Sequence, residues 1–190
     1  MMLFCFLVRF DRSSTFSPPP LFPSPPFPPP ALPDKLTSDF VLVSCDVVAN
    51  VDLRAAVAAH RARREADRSA IATLLVATGQ TPAQRARLGE PAKLYVTDPA
   101  SGRLLAVHDA RATGAGAAAP LALDAGLFGE RSAVSVRGDL SGVHAAVLAP
   151  EAAMLFSDNF DYQSFSRDFV AGTLAEEELG NKLYLHECDG

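Results

Sequence analysis

From Ser38 onward the spacing of apolar and polar positions changes several times, and each change predicts an element. Phe40 to Val43 is an unbroken apolar run rich in β-formers, the pattern of a strand buried on both faces. Further on, Leu53, Ala56, Val57 and His60 fall on one stripe of a helix from about Leu53 to Asp67, which Asn50 or Asp52 can cap. Ile71 to Val76 is a second buried apolar run. Strand, helix and strand in about 40 residues make a βαβ unit, with a right-handed crossover and a parallel sheet.

The pattern of the middle section is shorter in range. Lys93 to Thr97 and Arg103 to His108 predict two strands joined around Asp98, Pro99, Ser101 and Gly102, a turn composition suited to a hairpin. Ala112 to Ala119 reads as a small-residue linker. Val134 to Val136 and Val143 to Leu148 are further strand candidates, with Gly138 and Gly142 bounding the turn between them. Pro150 opens a short helix over Glu151 to Phe156, at the first-turn position proline favours. A polar-aromatic cluster follows: Phe156, Asp158, Asn159, Phe160, Asp161 and Tyr162 fit neither a helical nor a strand period. Periodicity then returns. Phe165, Phe169, Val170 and Leu174 lie on one helical stripe that Gly180 can end, and Lys182 to His186 alternates as a last strand. Glu176, Glu177 and Glu178 sit where the helix dipole disfavours negative charge, so the helix stops before them or something else keeps them there. They read either as a solvated acidic turn or as a contact for a basic partner.

Residues 1–37 stand apart. Met1 to Val8 is apolar but too short to span a bilayer, and Arg9 and Arg12 lie on the wrong side of it for a signal peptide. Ten of the sixteen residues from Pro18 to Pro33 are proline, which favours extended polyproline II and a disordered leader. Its PxxP spacings would suit an SH3- or WW-type partner. The change to patterned sequence at Asp34 also fits non-coding sequence translated ahead of a true exon. The expected organisation is therefore a disordered leader over 1–37 and one domain over 38–190.

Composition narrows the functions. The 190 residues are 48% hydrophobic and 21% charged, an ordinary globular balance. A net charge of -5 argues against direct nucleic-acid binding, which needs clustered cations. The one basic group, Arg61, Arg63, Arg64 and Arg68, reads as the solvated side of the first helix. Cys5, Cys45 and Cys188 have neither metal-ligand spacing nor the even count of a disulfide framework, which fits a reducing compartment. His60, His108, His144 and His186 are scattered, so core or surface histidines are the default. No metal site and no membrane span is expected. Asp46 follows a buried strand at the carboxyl edge where open α/β sheets bind ligands, so it is a candidate metal or nucleotide-phosphate residue beside a plainer structural reading. No phosphate-binding, dinucleotide or nucleophile-elbow motif occurs.

Ser38 to Val76, SDFVLVSCDVVANVDLRAAVAAHRARREADRSAIATLLV, and Leu155 to His186, LFSDNFDYQSFSRDFVAGTLAEEELGNKLYLH, resemble the epsilon subunit of eukaryotic translation initiation factor 2B. The resemblance runs from Ser38 to His186, closely at both ends and loosely through Ala77 to Val134. It implies a partial Rossmann-like, nucleotidyltransferase-type α/β domain with a mostly parallel sheet, serving as scaffold and binding surface. The family's Gly-rich loop on the leading strand is replaced here by the Pro-rich leader, and Cys45 stands where the family usually has Gly. With that leading strand gone, the strand at Phe40 would keep an open edge. The β-helix and the exchange-catalysing helical domain of the full-length subunit are also absent, so a fragment is expected. The resemblance implies a non-enzymatic part of a guanine-nucleotide exchange factor that helps release GDP from initiation factor 2, in the cytosol, without a cofactor. Its expected partners are initiation factor 2 and the other subunits of factor 2B, a gamma-like one among them. Asn159 and Phe160 match the family's Asn-Phe pair implicated in engaging the substrate factor, and Asp161 adjoins them. Asp46 would be the remnant of a nucleotide or metal site. The alternative is a pyrophosphorylase-like nucleotidyltransferase in which Asp46 holds Mg²⁺.

Overall fold

The computed structural model describes residues 5–9, 36–44, 49–78, 93–109, 112–113, 117–118, 123–129, 131–159 and 161–188. Its strands are β1 (Cys5–Arg9), β2 (Phe40–Ser44), β3 (Ala70–Ala77), β4 (Lys93–Thr97), β5 (Arg103–Asp109), β6 (Ala112–Thr113), β7 (Ala117–Ala118), β8 (Ser135–Arg137), β9 (Ser141–Leu148) and β10 (Lys182–Cys188). The α-helices are α1 (Leu53–Ala66), α2 (Gly126–Gly129), α3 (Pro150–Asp158) and α4 (Val170–Ala175). Eight strands form one sheet in the order β1-β2-β9-β3-β10-β5-β4-β8, while β6 and β7 pair with each other.

The α/β class predicted from the pattern is what the structure has, but the sheet is not mostly parallel. Of its seven adjacent pairings only β3 with β10 is parallel. The crossover from β2 through α1 to β3 exists, yet β9 lies between its two strands and runs antiparallel to both. The reason is visible in the burial. Phe40, Leu42, Ala72, Val76, Ala146 and Leu148 pack on one face of the sheet with α3. Val41, Leu75, Ala145 and Val147 pack on the other with Ala56 and Val57 of α1. Unbroken apolar runs show that a sheet is covered on both faces; they carry no information about strand direction.

Local signals hold more closely. Asp52 is the N-cap of α1, its Oδ1 accepting from the Arg54 N–H at 2.9 Å, and the buried positions of the helix include Ala56, Val57 and His60. β4 and β5 form the predicted hairpin. Asp98 organises its turn by accepting from the Ala100 N–H and the Ser101 hydroxyl, and Gly102 takes a φ of 71°. Pro150 opens α3, which extends two residues beyond its predicted end.

Four expectations change. The stripe from Phe165 to Leu174 begins as a π-helical turn, Phe165–Phe169, before becoming α4, and α4 ends at Ala175, ahead of the glutamates. Gly180, with φ 69°, instead follows a short 3₁₀ turn, Glu177–Leu179, into β10. Gly142 lies inside β9 and not in a turn. Within the segment expected to be a disordered leader, Cys5–Arg9 pairs with the whole of β2, so the edge expected to stay open carries a strand. The proline run from Pro18 to Pro33 lies outside the described residues.

Candidate partner-binding turn and the buried arginine network

α3 ends in the polar-aromatic cluster, and a stack of rings makes that ending rigid. Phe156 and Phe165 each stack with Phe169, both at 5.3 Å. Tyr162 meets both Phe156 and Phe169 edge-on, at 5.8 and 5.9 Å. Phe169 is fully buried and Phe156 nearly so, as the apolar end of α3 predicts for Phe156.

The backbone between these rings is held by polar side chains. Asn159 caps α3, its N–H donating to the Leu155 carbonyl, while its own carbonyl accepts from the Tyr162 N–H. Its side-chain Oδ1 accepts from the Asp161 N–H at 3.2 Å, an Asx turn. Asp168 closes the other end, its Oδ2 accepting from the backbone N–H groups of Gln163 at 3.0 Å and Ser164 at 2.7 Å. Asp168 thus supplies the carboxylate half of a capping box, one residue further along than in an α-helix because the turn it closes is π-helical, while the Ser164 side chain makes no cap bond. Burial, and then the charge of Glu176, raise the Tyr162 phenol above its ordinary value, with a hydrogen bond to Asn159 acting against them. Tyr162 also lies against Gly172: a Cβ there would stand 2.7 Å from Cε1 and Cζ of the ring.

Asn159 and Asp161 are thus brought into one turn, with Asn159 half-buried and Asp161 exposed. Phe160 and Asp46 lie outside the described residues. The pairing of Tyr162 with Gly172 had no sequence signal, since an irregular turn and a π-helical turn lie between them and no single period runs through both. The i, i+4 spacing of Phe165 and Phe169 was the visible part of the stack.

Within the group expected to be a solvated face, Arg61 and Arg68 are exposed, but Arg63 is half-buried and Arg64 is buried. Arg64 is 6% exposed and reaches across to α3, its Nη2 donating to both carboxylate oxygens of Glu151 at 3.0 and 3.1 Å. Its Nε lies 3.3 Å from Asp39, and its Nη1 donates to the Ala70 carbonyl at 3.2 Å. Burial raises the Asp39 carboxyl despite Arg64 beside it. Glu151 is held below the usual range: burial would raise it, but its own backbone N–H and Arg64 outweigh that effect. His60, one turn earlier, is fully buried with Nδ1 2.9 Å from the Thr73 hydroxyl. Burial, followed by Arg64, Arg63 and Arg61, brings it down to about 4, so it is neutral in the fold.

No family model matches the chain. The epsilon subunit of translation initiation factor eIF2B from Schizosaccharomyces pombe is 35% identical over 151 residues, which is 80% of this chain and 22% of that subunit. The chain is a homologue of eIF2B epsilon over that segment. The same subunit from Dictyostelium discoideum is 26% identical over 155 residues, 82% of this chain and 21% of its own length. The chain therefore spans about a fifth of the curated relatives it matches. Both relatives carry the name of a translation initiation factor subunit, the family that the motifs at both ends of the sequence resemble.

Proposed function

We propose that residues 38–190 form a Rossmann-like, nucleotidyltransferase-type domain that serves an eIF2B-like exchange factor as scaffold and binding surface. In this reading the domain has no enzymatic role and works in the cytosol. It joins the other eIF2B subunits, a gamma-like one among them, and contacts initiation factor 2 to promote release of GDP. The observation that carries the reading is the 35% identity to eIF2B epsilon over 80% of the chain. The three-layer arrangement of α1, sheet and α3 is compatible with it.

Asn159, Phe160 and Asp161 are the proposed contact. The turn rests on a packed aromatic stack, and π-helical insertions such as Phe165–Phe169 recur at functional sites. Such a base lets a loop present side chains without the entropy loss of ordering on binding. Asn159 has two parts to play in this reading: its side chain holds the turn, through the Asp161 N–H and the Tyr162 phenol, and it also meets the partner.

The test places Asn159→Ala and Phe160→Ala in the corresponding full-length subunit and measures melting temperature together with GDP release. Exchange lost at unchanged melting supports the contact, with Phe160→Ala weakening binding by about 2 kcal/mol or more. Melting and exchange lost in proportion would make Phe160 a core residue and overturn the assignment.

A further inference from the structure

The two sides of the eight-stranded sheet end differently. At one side β8 is three residues long and its Arg137 is ion-paired with Asp139 and Glu187, so shortness and charge blunt that edge. At the other side β2 has neither defence. Phe40, Val41 and Leu42 are at most 4% exposed, covered on one face by the cluster that contains α3 and on the other by the cluster that contains α1. Phe40–Ser44 carries no charge, no proline and no bulge. Such a strand is built for the interior of a sheet, and its outward N–H and C=O groups need a neighbour.

β1 is that neighbour, and β2 is the one strand it pairs with among the described residues. The register runs from Cys5 opposite Ser44 to Arg9 opposite Phe40. Within a single chain, residues 10–39 must therefore leave the sheet and return to almost the same point. Their composition works against that return. Pro18 to Pro33 is sixteen residues with ten prolines, and at about 3.1 Å per residue an extended run of that length spans about 50 Å. The remaining residues, 10–17 and 34–39, reach about 50 Å only when fully stretched. Leu36, buried in the same cluster as Phe40, takes up part of that reach. Pairing in cis thus leaves almost no slack, or makes the proline run fold back against its restricted φ angles.

We propose that β1 is exchanged between two copies of this chain, Cys5–Arg9 of each completing the β2 edge of the other. The docking surface is the backbone edge of Phe40–Ser44, and its occupant is the same strand in the same register, so the β1–β2 ladder is kept. The two exchanges are related by a twofold axis and close the dimer. Only the path of residues 10–39 differs, since it runs from one copy to the other and can stay extended. A tether that spans its two sites poorly lowers the effective concentration of the strand in cis, and the strand of the second copy gains by comparison.

Light scattering on the 190-residue chain over a concentration series should show a dimer. Replacing Pro18 to Pro33 by an equally long Gly-Ser segment leaves β1 and β2 unchanged and should shift the population to monomer. A disulfide reads the exchange itself. Cys5 stands opposite Ser44, so Ser44→Cys, with Cys45→Ala and Cys188→Ala, allows one cross-strand bridge at a Cα spacing that disulfides accept. After mild oxidation, a reducible covalent dimer on a denaturing gel is expected. A bridge closed within one chain, a monomeric wild type at every concentration, or a dimer unaffected by the Gly-Ser segment overturns the proposal.

Discussion

Acidification should destabilise the fold through His60, and the size of the effect follows from its burial. The imidazole is fully buried and brought from 6.5 down to about 4 by burial and by Arg64, Arg63 and Arg61 around it, with Glu151 pulling weakly the other way. Unfolded, it takes up a proton as pH falls through 6.5; folded, it does not do so until about 4. The unfolded chain binds more protons across that window, so stability rises with pH. The His60 contribution is neutral above 6.5, grows more unfavourable down to 4, and is constant below. Its size is about 2 kcal/mol at pH 5 and about 3 kcal/mol at pH 4. Urea unfolding of the wild type and of His60→Gln between about pH 7.5 and about pH 4.5 isolates it, because other titrations are common to both chains. The glutamine keeps a partner for the Thr73 hydroxyl and has no proton to gain. The stability difference between the two chains should shift in favour of His60→Gln as pH falls. Parallel curves across the window would refute the reasoning.

Three further outcomes are expected. Gly172→Ala drives a methyl into the Tyr162 ring and should cost about 1 to 3 kcal/mol in urea unfolding, a cost largely removed by adding Tyr162→Ala in a double-mutant cycle. Arg64→Met leaves Asp39 and Glu151 without their shared cation and should cost about 3 kcal/mol, near the lower bound for a broken buried pair because Glu151 is half exposed. Calorimetric titration with nucleoside triphosphates and Mg²⁺ should give no saturable heat; Mg²⁺-dependent binding abolished by Asp46→Ala would favour the nucleotidyltransferase alternative instead.

How much was legible in the sequence depended on the range of the interaction behind each feature. Asp52 caps α1 and Asp98 organises the hairpin turn through contacts two or three residues away, and both were readable. So was Phe156 as a core ring, from its place on α3. Strand order was not. That β9 enters between β2 and β3 is decided by pairings as far apart in sequence as Phe40 with Leu148 and Ala77 with Ser141, and the apolar runs look the same in either direction. Arg63 and Arg64, unlike the exposed Arg61 and Arg68, escaped the reading for a related reason. Arg64 follows the same stripe as Ala56, Val57 and His60, but charge was read as exposure, and its acceptors Asp39 and Glu151 come from distant segments. At the candidate site, the residue types of the Asn159 turn were visible, while the ring stack beneath it required Tyr162, Phe165 and Phe169 to meet Phe156 in space.

The position of β10 bears on the order in which the protein can assemble during synthesis. Among the described residues, β10 alone joins the half-sheet β1-β2-β9-β3 to the half-sheet β5-β4-β8. Every other strand among the described residues leaves the ribosome before it. Until Lys182–Cys188 emerges, β3 and β5 each present an unpaired inner edge, and Ile71, Leu75 and Leu104, all buried in the finished fold, lack part of their cover. At about 5 to 20 residues per second, the stretch from the end of β5 to the end of β10 keeps that seam open for seconds, long compared with microsecond hairpin formation. Local hairpins such as β4–β5 are then free to form early, while the joining of the halves waits on the arrival of one strand, and a chaperone that holds exposed strand edges would act in that interval.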